Sequence, residues 1–299
     1  MRIVTLLAAT RPAFLSVTLV GVILGLSTAA ADGAFYSPPL AIMTLLFALL
    51  AHAGANVIND YYDALSGCDA ANTERIFPFT GGSRFIQDGR LTLCQTAALG
   101  YGLLGLVIPA GFYLVYVSGP ELLIIGLCGF FAGWAYSANP FKLQSRGLGE
   151  VTIMLAWLTV VVGSDYVQRG ALASKPIIAG IAYAILVANV LFINQIPDRV
   201  ADASTGKRTL IVRFGAAFAA KGCALHYSLS LSIIAISVWM HQLPSTALFS
   251  LFVVLPALYS VNQLHATATE RITLSRIIPL TITSTLLFGL TLSLSLMSA

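Results

Sequence analysis

The stretch that decides the fold is LAIMTLLFALLAHAGANVINDYYD, residues 40–63, in which a long apolar run ends in Asn56, Asn59, Asp60 and Asp63. A helix needs about 20 apolar residues to cross a bilayer, and this run is long enough. Carboxylates beside such a run are costly to place next to hydrocarbon. We therefore expect these acids to hold a positively charged partner.

The whole chain has the composition of an integral membrane protein. Its 299 residues are 58% hydrophobic and 9% charged, with a mean hydropathy of +0.87, which cannot supply the surface of a water-soluble globule. We predict an all-α polytopic membrane protein, a single domain over residues 1–299, with nine transmembrane helices in one bundle and a cap of loops on the cytoplasmic side. The predicted crossings are residues 13–31, 40–58, 92–116, 119–137, 150–168, 176–196, 216–240, 245–263 and 277–297.

The basic residues support this count and indicate the orientation. When the loops between nine crossings are divided into two sets, the 16 Lys and Arg residues fall on one side except for Arg169 and Lys175. Because basic residues near membrane crossings collect on the cytoplasmic side, we predict a cell inner membrane protein whose N-terminus is cytoplasmic and whose C-terminus is outside. The net charge of +4 follows from this orientation, and we infer no nucleic-acid partner from it.

Several other features favour ordinary explanations. A cleaved signal peptide is the alternative for the first apolar run, but the run is long for one and its removal would leave eight crossings, so we expect it to be retained. The four cysteines show no spacing typical of disulfides or zinc sites. Of the four histidines only His52 lies near the acids, and we expect a packing role for it.

A second motif repeats the first one later in the chain. Asn194-Gln-Ile-Pro-Asp198 has the same Asn-x-x-x-Asp spacing as Asn56 to Asp60, and Asp202 follows four residues on. Spacings of three and four residues return to one face of a helix, so the polar residues of each motif project together. The motifs follow the second and sixth predicted helices, which run in the same direction. Both motifs, residues 56–69 and 194–202, are therefore expected at the cytoplasmic face.

The oxygen ligands of these motifs favour a hard cation. Mg²⁺ typically takes one or two carboxylates and completes its shell with phosphates and water. Two acidic patches facing each other would suit two ions that bridge a diphosphate. We predict that Asn56, Asp60, Asp63, Asp69, Asn194, Asp198 and Asp202 bind Mg²⁺, with Asp60, Asp63, Asp198 and Asp202 as the catalytic acids.

Basic and polar residues near the motifs could complete a diphosphate site. The candidates are Ser83, Arg84, Lys142, Arg146, Lys207 and Arg208. Each basic residue has an alternative explanation, because cytoplasmic loops are basic in any case. Three further residues could contact the substrate: Asn59, Arg11, and Tyr136, whose ring could stabilise a cation.

At these residues the chain resembles the UbiA superfamily of intramembrane prenyltransferases. The resemblance is carried by the two Asp-rich motifs, by Tyr136-Ser-Ala-Asn-Pro-Phe-Lys142 and by Gly206-Lys-Arg-Thr-Leu210, and it spans about residues 10–215. It implies a nine-helix bundle in which an allylic polyprenyl diphosphate is ionised with Mg²⁺ and an acceptor takes the prenyl group. The strings Asn-Asp-Tyr-Tyr-Asp and Asn-Gln-Ile-Pro-Asp are similar to the MenA branch. That similarity implies 1,4-dihydroxy-2-naphthoate as a small aromatic acceptor in menaquinone biosynthesis. Arg11 could meet the carboxylate of such an acceptor, and the alternative is that it anchors the end of the first helix at the membrane surface.

Alternatives to this function stay open. Within the superfamily, the acceptor could be 4-hydroxybenzoate, a chlorophyll-type macrocycle or a glycerol-phosphate lipid. Outside it, a cation-coupled transporter could also place acids on broken helices, but transporter repeats are commonly inverted and these motifs run parallel. A CDP-alcohol phosphatidyltransferase also combines clustered Asp with Mg²⁺, but its Asp-x-x-Asp-Gly pattern is absent, since Ala64 follows Asp63.

Overall fold

The computed structural model describes residues 3–267 and 270–298, which form a helical bundle with no strand among them. The α-helices in chain order are α1 Ile3–Ala9, α2 Pro12–Ala31, α3 Pro38–Ser66, α4 Cys68–Ala71, α5 Leu93–Ser118, α6 Glu121–Ala135, α7 Gly149–Arg169, α8 Ser174–Ser204, α9 Leu210–Phe214, α10 Ala219–Trp239, α11 Phe249–Phe252, α12 Leu255–Thr267 and α13 Arg271–Met297. The all-α prediction is confirmed.

Seven helical segments of the described chain are long and apolar enough to cross a membrane: α2, α3, α5, α7, α8, α10 with the turn before it, and α13. The predicted count of nine is therefore not confirmed. The predicted crossing 119–137 corresponds to α6, whose 15 residues span only about 22 Å against about 30 Å of hydrocarbon. The predicted crossing 245–263 is divided into a 3-10 turn, α11 and α12.

The two helices that carry the motifs extend further than expected. The crossings predicted to end at 58 and 196 continue to Ser66 in α3 and Ser204 in α8. Both motifs therefore begin inside the last turns of a helix and do not follow it. Helix α3 continues because Val57 and Ile58 are fully buried on its packed side, and it ends at Gly67, whose φ of 78° suits the left-handed position after a helix.

Helix α8 lies at the centre of the bundle, where it packs against α2, α7, α10 and α13. Its Tyr183, Leu186 and Phe192 are fully buried in the main apolar core. Helix α5 packs along α3, and a Cβ atom at Gly100 would lie only 2.7 Å from Ile58. The first motif helix is thus held by α5, and the second by the core itself.

The loop between α4 and α5 covers the motif ends of α3 and α8. Its Ile76 and Leu91 are buried, and its backbone donates hydrogen bonds to side chains of both motif helices. The loop therefore forms part of the cap that the sequence predicts, at the end of the bundle where the acids lie.

At the other end of α8, Asp32 forms ion pairs with Lys175 and Arg169.

Candidate active site

The two motifs meet at one buried lysine. The Nζ atom of Lys207 lies 2.8 Å from Oδ1 of Asp63 in the first motif and 3.4 Å from Oδ1 of Asp202 in the second. Burial lowers the pKa of Lys207, but the two carboxylates outweigh it and hold that pKa well above its usual value. Lys207 therefore stays charged and joins the C-terminal ends of α3 and α8.

The loop before α5 binds the carboxylates of Asp60 and Asp198 through its backbone and one amide. Asn72 donates to Oδ1 of Asp198 at 2.6 Å, and the Gly81 N–H donates to Oδ2 of the same carboxylate at 3.3 Å. The Ser83 N–H donates to Oδ2 of Asp60 at 3.1 Å. Each of these carboxylates thus has its position fixed by the loop.

Gly82 marks the point where two acids of the first motif converge. A Cβ atom at this glycine would lie 2.9 Å from Oδ1 of Asp60 and 2.9 Å from Oδ2 of Asp69. The backbone of Gly82 also has a φ of +66°, which glycine adopts far more readily than other residues. Only a glycine therefore leaves both carboxylates in place.

Several buried oxygens at this end of the bundle have no hydrogen-bond partner among the described residues. They include Oδ1 of Asp60, Oδ2 of Asp69, Oδ1 of Asn72 and Oδ1 of Asn194. Buried oxygens are normally paired, so these atoms are suited to accept a cation. Burial, together with Asp63 and Asp60, raises the pKa of Asp69 to about 8, which a bound cation would counteract.

The donor set fits a hard divalent cation that shares its shell with a ligand. In the described part of the chain no three His, Cys, Asp or Glu side chains form a ready-made metal shell. Mg²⁺ does not require one, because it commonly binds through one or two carboxylates with phosphates and water. The carboxylates of Asp60 and Asp69, which converge at Gly82, meet that lower requirement.

The other predicted polar residues support the acids or line the cavity beside them. Asn59 donates to Oδ2 of Asp63 at 3.1 Å, and Asn56 donates to the carbonyl of Thr10 at 3.0 Å. Tyr136 lines the cavity, and burial raises the pKa of its phenol, so the ring stays neutral. Asn59 therefore orients an acid, and Tyr136 offers its ring to the cavity.

The predicted basic residues divide into two groups. Arg11 and Lys207 line the cavity, and Lys142, Arg146 and Arg208 are outside its lining. The Arg84 guanidinium donates to the backbone carbonyls of Asp69 at 2.7 Å and Asn72 at 3.4 Å, so it braces the loop. The geometry thus brings two of the predicted basic residues to the end of the cavity where the acids lie, and a substrate-binding role stays a prediction for all of them.

A cavity of about 460 Å³ extends from the acids into the bundle. Asp63, Asp69, Asp198 and Asp202 lie along one part of its wall. Most of the remaining wall is apolar, with Phe47, Leu104, Leu114, Ile125 and Phe130 among its residues. Such a shape suits a ligand with an anionic head and a hydrocarbon tail.

Some site residues had no signal in the sequence. Gln144 donates to Oδ1 of Asp63 at 3.4 Å and to Ser137 at 3.2 Å, and the thiol of Cys68 donates to Oδ1 of Asp202 at 3.1 Å. Asn72 is likewise identified only by its contact with Asp198. These residues belong to loops or to a short helix whose folding no periodicity reveals. Gly82 was detectable as part of the Gly-Gly-Ser turn before Arg84.

Comparison with known proteins identifies the family. Residues 15–290 match the UbiA prenyltransferase family, so the chain belongs to that family. The 1,4-dihydroxy-2-naphthoate octaprenyltransferase of Escherichia coli (strain K12) is 31% identical over 213 residues, 69% of this chain and 67% of that relative. The protein of the same name from Bacillus subtilis (strain 168) is 30% identical over 212 residues, 69% of this chain and 64% of that relative. The aligned part thus spans only about two thirds of the length of these relatives.

Solved structures show the same fold. A UbiA homolog from Archaeoglobus fulgidus, bound to DMAPP and Mg²⁺, superposes with a TM-score of 0.73 at 17% identity, covering 98% of this chain and 99% of that one. The structure of a digeranylgeranylglyceryl phosphate synthase gives a TM-score of 0.67 at 14% identity, covering 99% of this chain and 98% of that one. At these identities the likeness establishes the fold of an integral membrane protein of this family.

Proposed function

We propose that the protein transfers a polyprenyl group from an allylic polyprenyl diphosphate to an aromatic acceptor, with Mg²⁺ as the cofactor. The observation that carries this proposal is the convergence of two acidic motifs at an apolar cavity. Unpartnered oxygens of Asp69 and Asn194, which line this cavity, are available for a cation there. An unpartnered oxygen of Asp60 lies near Asp69 at Gly82, and the cavity has room for part of a hydrocarbon tail.

In this proposal the acids and two basic side chains have different roles at the diphosphate. Mg²⁺ would be held by the motif residues, Asp60, Asp63, Asp69, Asp198 and Asp202 with Asn56 and Asn194, and would neutralise charge on the departing pyrophosphate. Lys207 and Arg11 line the same cavity and contribute fixed positive charge where negative charge develops. The loop backbone at Gly81 and Ser83 keeps the acids in position.

The cavity wall would protect the reacting carbon. An apolar wall excludes water, so a cationic prenyl carbon would meet the acceptor before it is hydrolysed. The ring of Tyr136 lies at this wall and would stabilise positive charge through its face. The apolar wall and Tyr136 thus act through their position and through their electrostatic effect on the prenyl carbon.

For the acceptor, we propose 1,4-dihydroxy-2-naphthoate in menaquinone biosynthesis. The support comes from relatives whose names specify this acceptor, and from a 2-carboxy-1,4-naphthoquinone phytyltransferase of Synechocystis that is 25% identical over 80% of this chain. Arg11 in the cavity wall could pair with the carboxylate of such an acceptor. We further propose that the N-terminus and the site face the cytoplasm, because the basic residues collect at that end.

The test is turnover by the full chain purified in detergent. With Mg²⁺ and geranylgeranyl diphosphate, we expect pyrophosphate release and a prenylated product from 1,4-dihydroxy-2-naphthoate, and none from 4-hydroxybenzoate. Asp60→Asn is expected to lower the rate by about 100-fold, the scale of losing a transition-state charge stabiliser. Asp88→Asn, which alters an exposed acid of the loop between α4 and α5, is the matched control. Turnover that persists in EDTA, or product from no acceptor in the panel, would reject the proposal.

A further inference from the structure

A small polar group interrupts the apolar wall of the cavity below the acids. It consists of Thr18 on α2, His52 on α3 and Trp157 on α7, and all three line the cavity. Nδ1 of His52 lies 2.8 Å from Oγ1 of Thr18. The Trp157 ring meets the imidazole edge to face, with ring centroids 5.0 Å apart and an interplanar angle of 86°. The imidazole is therefore held in one orientation by contacts from two neighbouring helices.

His52 lies on α3 about one helical turn before Asn56 and about two turns before Asp60. It precedes Asn56 by four residues and Asp60 by eight on the same helix, which places it about 6 Å and about 12 Å from them along the helix axis. Thr18 occupies Nδ1. The Asn56 side chain, one turn further along α3, also interacts with the ring, so a ligand at Nε2 would lie beside Asn56.

Arg11 adds a second recognition element to this part of the wall. It also lines the cavity, and the carbonyl of its neighbour Thr10 accepts a hydrogen bond from Asn56, one turn beyond His52 on α3. Its guanidinium lies 4.5 Å from the centroid of the Phe14 ring, which limits its movement. A fixed cation and an imidazole in one wall match an aromatic ring that carries both a carboxylate and a hydroxyl group.

We propose that Nε2 of His52 binds a ring hydroxyl of the acceptor while Arg11 faces its carboxylate, so that this wall selects aromatic hydroxy acids. Thr18 acts as a positioning residue, because it holds the imidazole through Nδ1. A hydroxyl group both donates and accepts hydrogen bonds, so it pairs with Nε2 in either tautomer of the ring. This inference rests on the proposed function and adds that His52 recognises a ring hydroxyl group of the acceptor.

The test is equilibrium binding to the full chain in detergent, measured by calorimetry without prenyl diphosphate. The probes are 1-hydroxy-2-naphthoate, 4-hydroxy-2-naphthoate and 2-naphthoate, which differ only in the hydroxyl group. The wild type should bind at least one hydroxy acid about tenfold more tightly than 2-naphthoate, because a hydroxyl-specific site loses a hydrogen bond with the analogue. In His52→Leu this ratio should fall to about one.

Paired variants separate recognition from folding. Gln can place an amide near the position of Nε2 and Asn only near that of Nδ1, so His52→Gln should keep the preference for the hydroxy acid and His52→Asn should lose it. Thr44→Val is the matched control, because Thr44 also lines the cavity but its hydroxyl already donates to the Leu40 carbonyl at 2.8 Å.

The outcomes distinguish this inference from the proposed function. An unchanged hydroxyl preference in folded His52→Leu, or equal loss in the Gln and Asn variants, would overturn the role of His52. If no acceptor gives a prenyl product while the binding preference is intact and depends on His52, the proposed reaction would be refuted. The inference that this wall binds aromatic hydroxy acids would then still hold.

Discussion

Gly82 is the residue at which a single methyl group should disrupt the cation site. An added Cβ would lie 2.9 Å from oxygens of both Asp60 and Asp69, so one carboxylate must move away. We expect Gly82→Ala to lower turnover by about 100-fold, the scale seen when one charge-stabilising contact is lost. Pyrophosphate release at saturating Mg²⁺ measures this effect.

The same loop offers a control for the backbone cost of that change. Gly89 has a φ of +67°, close to that of Gly82, but a Cβ there meets no atom within 4 Å. Gly89→Ala therefore carries the same left-handed penalty, about 1–2 kcal/mol, without the clash. It should retain most of the activity, and equal losses in both variants would show that backbone strain, not crowding of the acids, is responsible.

Lys207 should be required for both the fold of the site and its chemistry. Replacement by Met removes the charge between Asp63 and Asp202, 2.8 and 3.4 Å away, and leaves buried carboxylates without a counter-ion. We expect Lys207→Met to lower the melting temperature and to reduce kcat by at least about tenfold. Lys221→Met, at an exposed position of α10, should change neither, and a wild-type melting curve for Lys207→Met would contradict this assignment.

For single residues, the sequence predicts the acids better than it predicts the side chains that contact them. Helical spacing alone brings Asp60 and Asp63 to one face, and the structure places both at the site. Spacing gives no information about how the loops return, so Lys207 and Lys142 were equal candidates, and only Lys207 reaches the acids. The contact of Asn72 with Asp198 depends on the same loop path.

The sequence predicts the positions of the two motif helices along the chain, but it does not predict their lengths. Apolar runs located α3 and α8 correctly, but both continue eight residues past the predicted ends at 58 and 196. A hydropathy pattern ends where polar residues begin, whereas a helix ends where its packing and capping end. Because the motif residues remain helical, their side chains keep the one-sided spacing that lets the acids converge.

The loop before α5 should act as an element that holds the second motif. We expect Asn72→Leu, which removes the 2.6 Å hydrogen bond to Asp198, to raise the Mg²⁺ concentration for half-maximal activity by about tenfold. A hydrogen bond to a charged group contributes about 1.5–3 kcal/mol, which sets this scale. Thr73→Val changes an exposed neighbour and should leave the Mg²⁺ dependence unaltered. The same Mg²⁺ dependence in both variants would remove Asn72 from the site.

For the whole molecule, the orientation predicted from charge can be tested directly. We expect Leu172→Cys, between α7 and α8, to react with a membrane-impermeant maleimide on intact cells, and Asp88→Cys to react only after lysis. Both positions are exposed, and Cys94 and Cys128 can be replaced by Ser to provide the background. The reverse pattern would place the acidic motifs outside the cell.

The ion pairs at the far end of α8 have a consequence for the acids at its near end. Lys175 pairs with Asp32 at the start of this helix, and Asp202 lies in its last turn. The two positions are separated by about 40 Å of helix. A small change in the tilt of α8 at Lys175 therefore produces a large displacement at Asp202. A tilt of one degree about Lys175 would shift Asp202 by about 0.7 Å, which is comparable to the tolerance of a catalytic arrangement. The ion pairs at the start of α8 therefore add to the core packing that fixes the alignment of the two motifs.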